Sequence, residues 1–304
     1  DPLVQIKVAD IMQATISLAR YYRSLWVNTK VVAITGSAGK TTTKEMISHV
    51  CAAYKTTYAT FKNQNNLLGL SLTLLNNIDM SAYVVLELGI NAPGEMQELV
   101  ELAQPDIALI TNIGACHLEG LGNEETIARE KALIFSTLTK EGVAIYDVDS
   151  PYKQIFAAAS VQAKQLTYSQ QDTQAQVFLQ HADAQADVCY RFSFVYAAEV
   201  LSFALSIPGR YQVFNALNTA LVAMTLAVPV DVIQKQLRSF AGTKQRFEMM
   251  TLADGSLFID DGYNANPYAL RAVLGTVGEI KRQRKCLVFA DMLELGEQSA
   301  QIHK

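Results

Sequence analysis

Val31-Val32-Ala33-Ile34-Thr35-Gly36-Ser37-Ala38-Gly39-Lys40-Thr41-Thr42 reads as a short apolar strand, a glycine turn and the opening of a helix. The apolar run is continuous rather than alternating, as in a strand covered on both faces of a parallel sheet. With the elements in this order, backbone N–H groups of the turn and the positive end of the helix face one point, which suits phosphate oxygens. Lys40 adds a cation, and the Thr41 hydroxyl is a candidate ligand for a phosphate-bound Mg²⁺. The spacing is shorter than in the common phosphate loop: only Ser37 and Ala38 separate Gly36 from Gly39, and Ile34 stands where the first glycine usually falls. The alternative is an ordinary strand-to-helix turn rich in small residues. Gly-Lys-Thr-Thr between a strand and a helix favours phosphate, so Gly36, Ser37, Ala38, Gly39, Lys40, Thr41 and Thr42 are expected to bind ATP.

Outward from this loop, a helix is expected at 10–23, with strands at 83–87, 107–111 and 143–146 and helices at 94–103 and 124–138. Alternating strands and helices predict an α/β fold of the P-loop type, a doubly wound, mostly parallel central sheet. Between 175 and 207 the segments become short and alternating, including 188–195, which predicts an antiparallel patch attached to that sheet. Helices are expected at 213–226 and 230–240, and a hairpin at 249–259 with Asp254-Gly255 as its turn. A helix at 267–280 and a strand at 286–289 look like the start of a second, Rossmann-like α/β domain.

The chain has 304 residues, 50% of them apolar, enough for two or more domains with their own cores. Its net charge of -4 argues against a nucleic-acid surface, which needs a basic patch. Cys51, Cys116, Cys189 and Cys286 show no paired spacing, so neither a disulfide framework nor a zinc site is suggested, and a cytoplasmic location is expected. No stretch has the length of a membrane span; the most apolar, 216–228, carries Asn218, Thr219 and Thr225 and reads as a buried helix. The chain begins at Asp1 and stops soon after an expected strand, and is expected to be a fragment lacking material on both sides.

The short loop resembles that of the Mur ligases, the ATP-dependent amide ligases of peptidoglycan precursor synthesis and hence of cell-wall assembly, cell shape and cell division. Asn63-Gln64-Asn65-Asn66, Glu87-Leu88-Gly89, Thr111-Asn112-Ile113-Gly114 with His117-Leu118-Glu119-Gly120, and Pro208-Gly209-Arg210 with Asn215-Ala216 resemble family blocks in the same order. Two more, Asp260-Asp261-Gly262-Tyr263-Asn264-Ala265-Asn266-Pro267 and Asp291-Met292-Leu293-Glu294-Leu295-Gly296-Glu297, resemble the member that joins D-Ala-D-Ala to a UDP-N-acetylmuramoyl-tripeptide. The resemblance implies an acyl-phosphate intermediate with release of ADP and phosphate. It also implies a division into the end of an N-terminal domain and a linker helix (1–30), a central ATPase domain (31–262) and the beginning of a C-terminal domain (263–304).

By the same resemblance Lys40, Glu87, His117 and Lys131 are the catalytic set. Thr41 and Glu87 would ligate one Mg²⁺ and His117 a second, with Lys131 joining as a ligand if carbamylated, since carbamylation turns an ammonium into a carboxylate-like donor. The alternatives are a solvated strand-end carboxylate for Glu87, a structural histidine for His117, and for Lys131 a solvated helix lysine paired with a neighbouring Glu. Leu133 stands where the family usually has an acidic residue. The resemblance puts Asn264 and Asn266 at the adenine, although a turn would also suit them. Arg246 would reach a phosphate, or lie on the surface beside Lys244. Asn63, Asn65 and Asn66 would contact the peptidyl substrate; Lys62, Ser71 and Ala290 replace a Gly, a Pro and a Gly common at their positions.

A monomer without nucleic-acid or membrane partners is expected. Competing functions are another Mur-type or folylpolyglutamate-synthase-like amino acid ligase, and a nucleotide-binding fragment without catalysis. The fragment alone is expected to bind nucleotide weakly and not to ligate, because acyl transfer needs both substrates held in line.

Overall fold

The computed structural model describes residues 5–185, 189–296 and 299–303. At its centre lies β1 (Lys30–Thr35), paired in parallel with β3 (Tyr83–Glu87) on one side and β4 (Ile107–Ile110) on the other. β2 (Thr57–Ala59) extends the β3 side, while β5 (Val143–Asp147), β6 (Lys164–Ser169) and β7 (Val177–Ala184) continue in parallel from β4. β8 (Cys189–Tyr196) and β9 (Glu199–Pro208) then add antiparallel, giving one sheet of order β2-β3-β1-β4-β5-β6-β7-β8-β9. The expected doubly wound, mostly parallel α/β fold and its antiparallel patch are both present; Val188 of the expected strand lies outside the described residues.

The continuous apolar runs follow from burial on two faces. Val32, Ile34, Val85, Leu109 and Ile145 alternate onto one face and pack with α2 (Lys40–Ala52), α8 (Tyr211–Thr225) and α9 (Val230–Ser239). Val31, Ala33, Val84, Leu86, Ala108 and Ala144 face the other side. They pack with α1 (Ile11–Ser24), α3 (Leu67–Asn76), α4 (Glu95–Ala103) and α6 (Glu124–Ala132). Each of these six strand side chains is fully shielded from solvent, so a polar substitution there would bury an unpaired group. The expected helix at 216–228 is α8, buried along most of its length, and among the described residues no helix is long and apolar enough to cross a membrane.

Side-chain caps fix several helix starts: the carboxylate of Asp10 accepts from Gln13 N at 3.0 Å, and Asn123 accepts from Thr126 N at 2.9 Å. The helix expected at 124–138 is shorter, ending at Ala132 and tightening into a 3₁₀ turn over Leu133–Phe135. A one-turn helix, α5 (Leu118–Leu121), and α7 (Lys153–Ala159) complete the layers.

Beyond the sheet, β10 (Glu248–Thr251) and β11 (Leu257–Asp260) form the expected hairpin, with Gly255 in the left-handed region at φ 81°. α10 (Pro267–Glu279) follows, capped by Asn266, and α11 (Ser299–Ile302) closes the described chain. The strand expected at 286–289 is absent. Its apolar pattern suits a strand, but a strand exists through ladder hydrogen bonds, and no described segment pairs with it; Val288 is 91% exposed. Glu297, Gln298 and Lys304 lie outside the described residues.

Candidate active site

β1 has neighbours that the chain reaches in opposite directions, β3 and β2 on one side, β4 to β7 on the other. Such a switch point opens a crevice at the carboxyl ends of the strands. A cavity of about 1190 Å³ occupies it. Ser37 to Thr42 line it, with Asn63, Asn65, Asn66, Glu87, His117, Arg246, Asn264 and Asn266. Of the residues expected to bind or react, Gly36 and Lys131 alone are not on its wall.

The glycine turn is held from the loop that follows β4. Ala38 N donates to Asn112 Oδ1 at 2.9 Å, while Asn112 Nδ2 and Thr111 Oγ1 donate to Ala38 O at 2.9 and 2.7 Å. Ser37 N donates to Asn112 O at 3.0 Å, and the Ser37 hydroxyl bonds the Gly114 backbone at 2.9 Å. Gly36 is required here: its φ is 151°, and a Cβ would lie 1.9 Å from Thr111 Oγ1. Gly39, at φ 79°, precedes α2 as its N-cap with no side-chain cap, so the first N–H groups of α2 are left for an external acceptor at the cavity wall. Lys40 Nζ lies over the same turn and donates to Gly36 O at 2.8 Å.

Glu87 is the last residue of β3 and only 2% exposed, so it is not a solvated strand-end carboxylate. Asn65 Nδ2 donates to its Oε1 at 3.0 Å; Oε2 is buried and has no partner among the described residues. The neighbouring asparagines divide their work. Asn66 Oδ1 caps α3 through Gly69 N at 2.8 Å, and Asn63 lines the cavity while its carbonyl accepts from Asn65 N at 2.8 Å. Lys62, which stands where the resembling blocks carry Gly, has φ 51°, a conformation that glycine adopts without strain.

Lys131 is fully buried, and its Nζ has no hydrogen-bond partner among the described residues, so the solvated, paired helix lysine is excluded. Burial, helped by the Lys40 ammonium and opposed by Cys116, pushes its amine down to about 7. His117 is half-buried, in the left-handed region at φ 50°, and its Nδ1 lies against Glu294 Oε2. Burial lowers the basicity of the His117 imidazole, against the pull of Glu294.

Across the cavity the Arg246 guanidinium stacks on the Tyr263 ring at 4.2 Å. Burial lowers its pKa, and Glu87 and Asp261 oppose that shift. It therefore points into the cleft rather than lying beside Lys244 on the surface. Asn264 is exposed on the cavity wall, whereas Asn266 spends its side-chain oxygen on Ala269 N at 2.8 Å and keeps its NH₂ free for a ligand. Asp147, at the end of β5, also lines the cavity, and burial pushes its carboxyl up to about 6.

Comparison with known proteins decides the family. A profile of the Mur ligase middle domain matches residues 34–223, and one described as the Mur ligase, glutamate ligase domain matches 245–304. The chain belongs to the Mur ligase family.

Among Mur ligases, it is 35% identical to the UDP-N-acetylmuramoyl-tripeptide--D-alanyl-D-alanine ligase of Bacillus subtilis, over 98% of this chain and 64% of that protein. The same-named protein of Escherichia coli is 32% identical, over 99% of this chain and 66% of its own length. The chain thus spans just under two thirds of the length of these two relatives. Among solved structures, MurF from Acinetobacter baumannii superposes with a TM-score of 0.92 at 32% identity, over 100% of this chain and 66% of that one. The Thermotoga maritima MurF ligase in complex with ADP gives 0.84 at 26%, over 100% and 70%. Folylpolyglutamate synthase of L. casei, at 14% identity and 0.69, shares the fold.

The Mur ligase site fits Mg²⁺ through its donor chemistry. Glu87 presents one buried, unpartnered carboxylate oxygen, and the Thr41 hydroxyl stands on the same cavity wall. Among the described residues no three His, Cys, Asp or Glu side chains gather as a cage. A hard cation of this kind keeps several waters and takes further oxygens from phosphate. Sequence reasoning assigned no role to Thr111, Asn112 or Asp147. Their signal was position: each stands at or just after the end of a strand on the β4 side of the switch point.

Proposed function

We propose that this Mur ligase uses ATP to join D-Ala-D-Ala to a UDP-N-acetylmuramoyl-tripeptide, releasing ADP and phosphate, in the cytoplasmic assembly of peptidoglycan precursors. One observation carries the ATP chemistry: the unpaired N–H groups of α2, Lys40 and the free oxygen of Glu87 converge on one cavity. The choice of substrates rests on the names of the relatives in Bacillus subtilis and Escherichia coli.

The tripeptide carboxylate attacks the γ-phosphorus of ATP, the bond from that phosphorus to the bridging oxygen breaks, and ADP leaves. The dipeptide amine then attacks the acyl carbonyl, phosphate departs, and the amine loses a proton. Repulsion between two anions limits the first step, so cations in fixed positions are what the protein must supply. Lys40 and Arg246 hold charge at the phosphates, and the N–H groups of α2 bind the oxygens of the departing diphosphate. Glu87, Thr41, His117 and Lys131 would hold Mg²⁺, which when bound neutralises phosphate charge. Carbamylation of Lys131 would add CO₂ to the neutral amine with loss of one proton, giving it an oxygen donor. Asn63, Asn65 and Asn66 position the peptidyl substrate, and Asn264 and Asn266 the adenine.

The two matched profiles support a central ATPase unit followed by a C-terminal one. We place the linker at 1–30, the central unit at 31–262 and the start of the next at 263, three residues before the Asn266 cap of α10; the second profile begins earlier, at 245. The test is phosphate release by the intact protein with ATP and UDP-N-acetylmuramoyl-tripeptide, with and without D-Ala-D-Ala. Sustained release should require the dipeptide, at one phosphate per amide formed. Release indifferent to the dipeptide would overturn the assignment of the acceptor.

A further inference from the structure

Lys44 is a lysine with no exposed surface, one helical turn beyond Lys40. A buried ammonium is costly unless its protons are used. Here Nζ donates to Thr60 O at 2.7 Å and pairs with Glu45 Oε1 at 2.6 Å. Thr60, itself 2% exposed, is the residue where the chain leaves β2 for the Asn63–Asn66 loop. Its N–H donates to Val85 O at 3.0 Å, and its hydroxyl accepts from Glu87 N at 3.0 Å. Asn65, on the same loop, donates to Glu87 Oε1 and accepts from Gly89 N at 3.0 Å. The backbone N–H and one carboxylate oxygen of Glu87 are thereby fixed, and Oε2 has no partner among the described residues.

We propose that Lys44 is a positioning residue: through Thr60 it ties the phosphate-binding helix to Glu87 and sets the direction of that carboxylate's free oxygen. Lys44 does not line the cavity; it acts on the cation site two contacts away. The inference rests on the reading of Glu87 as a cation ligand. A lysine kept only for packing would predict a different outcome, because a methionine of similar length fills the same space.

The experiment measures Mn²⁺ affinity by electron paramagnetic resonance on the intact protein with saturating ADP, alongside thermal melting. Supporting groups behind a metal ligand typically carry 10- to 100-fold in affinity, so K44M and T60V should each weaken Mn²⁺ by about tenfold or more. The double variant should be no weaker than the worse single, and T60S, which keeps the hydroxyl, should bind as the parent does. E87Q sets the floor. Parental Mn²⁺ affinity in K44M and T60V, with E87Q impaired, would overturn the positioning role, as would a fall in melting temperature alone. Parental affinity in E87Q would overturn the reading of Glu87 itself, and this inference with it. Should K44M fail to fold, T60V against T60S decides.

Discussion

Lys40→Ala should lower the rate of ADP formation by about 10²- to 10³-fold, the loss seen when one preorganised donor is removed from a developing charge. Lys40 is the single cation in the turn from Gly36 to Thr42. In the structure its side chain makes one hydrogen bond, to Gly36 O. Loss of that bond should cost the fold only about 1 kcal/mol. The turn does not depend on it, being fixed by Asn112, Thr111 and Ser37 contacts that the substitution leaves in place. Steady-state ADP formation, read beside a melting curve, separates the two effects. Parental turnover in the variant would show that the lysine's charge does not act on the phosphates.

Lys131→Met should abolish most turnover and make the protein more stable at neutral pH. A methionine keeps the length and removes a buried charge that nothing satisfies. The amine is held at about 7 in the folded chain, against 10.5 for an ordinary lysine. Between these values the unfolded chain binds more protons, so stability rises with pH across the window. The penalty, roughly 5 kcal/mol from 1.36 kcal/mol per unit, is fully present below pH 7 and gone above 10.5. Denaturant melts in CO₂-free buffer should show this slope in the parent and lose it in the variant. The same lowered basicity keeps a large share of the amine neutral near pH 7 to 8, the form that takes up CO₂. A protein-bound carbamate signal after ¹³C-bicarbonate should therefore appear in the parent alone. A variant with parental turnover would leave Lys131 without a part in the reaction.

The fold was legible because its signals are local. Continuous apolar runs at 31–35, 83–87 and 107–111 read as strands covered twice, and the turn between β1 and α2 announces phosphate by residue type and order. The missed elements, among them β2, α3, β6, α5 and α7, are short or weakly periodic, and β2 is held by its neighbour β3 rather than by its own pattern. The strand expected at 286–289 shows the reverse error: propensity without a partner does not make a ladder. Within the site, residue types and their order flagged Lys40 and Thr41, whereas Glu87 was flagged by its place in a family block. The burial of Lys131, the stacking of Arg246 on Tyr263 and the bracing by Asn112 are products of tertiary packing, and no spacing along the chain announces them. Asn66 and Asn266 spend their side-chain oxygens as helix caps, which a shared motif cannot distinguish from ligand contact.

The most direct test of the central claim follows the oxygen that bridges carboxylate and phosphorus. UDP-N-acetylmuramoyl-tripeptide labelled with ¹⁸O in its terminal carboxylate is turned over with ATP and D-Ala-D-Ala, and the released phosphate is weighed. An acyl phosphate formed in this cavity transfers one carboxylate oxygen, so each phosphate should carry one ¹⁸O. Phosphate free of label would mean that water, not the peptide, takes the γ-phosphoryl group, and would contradict the account.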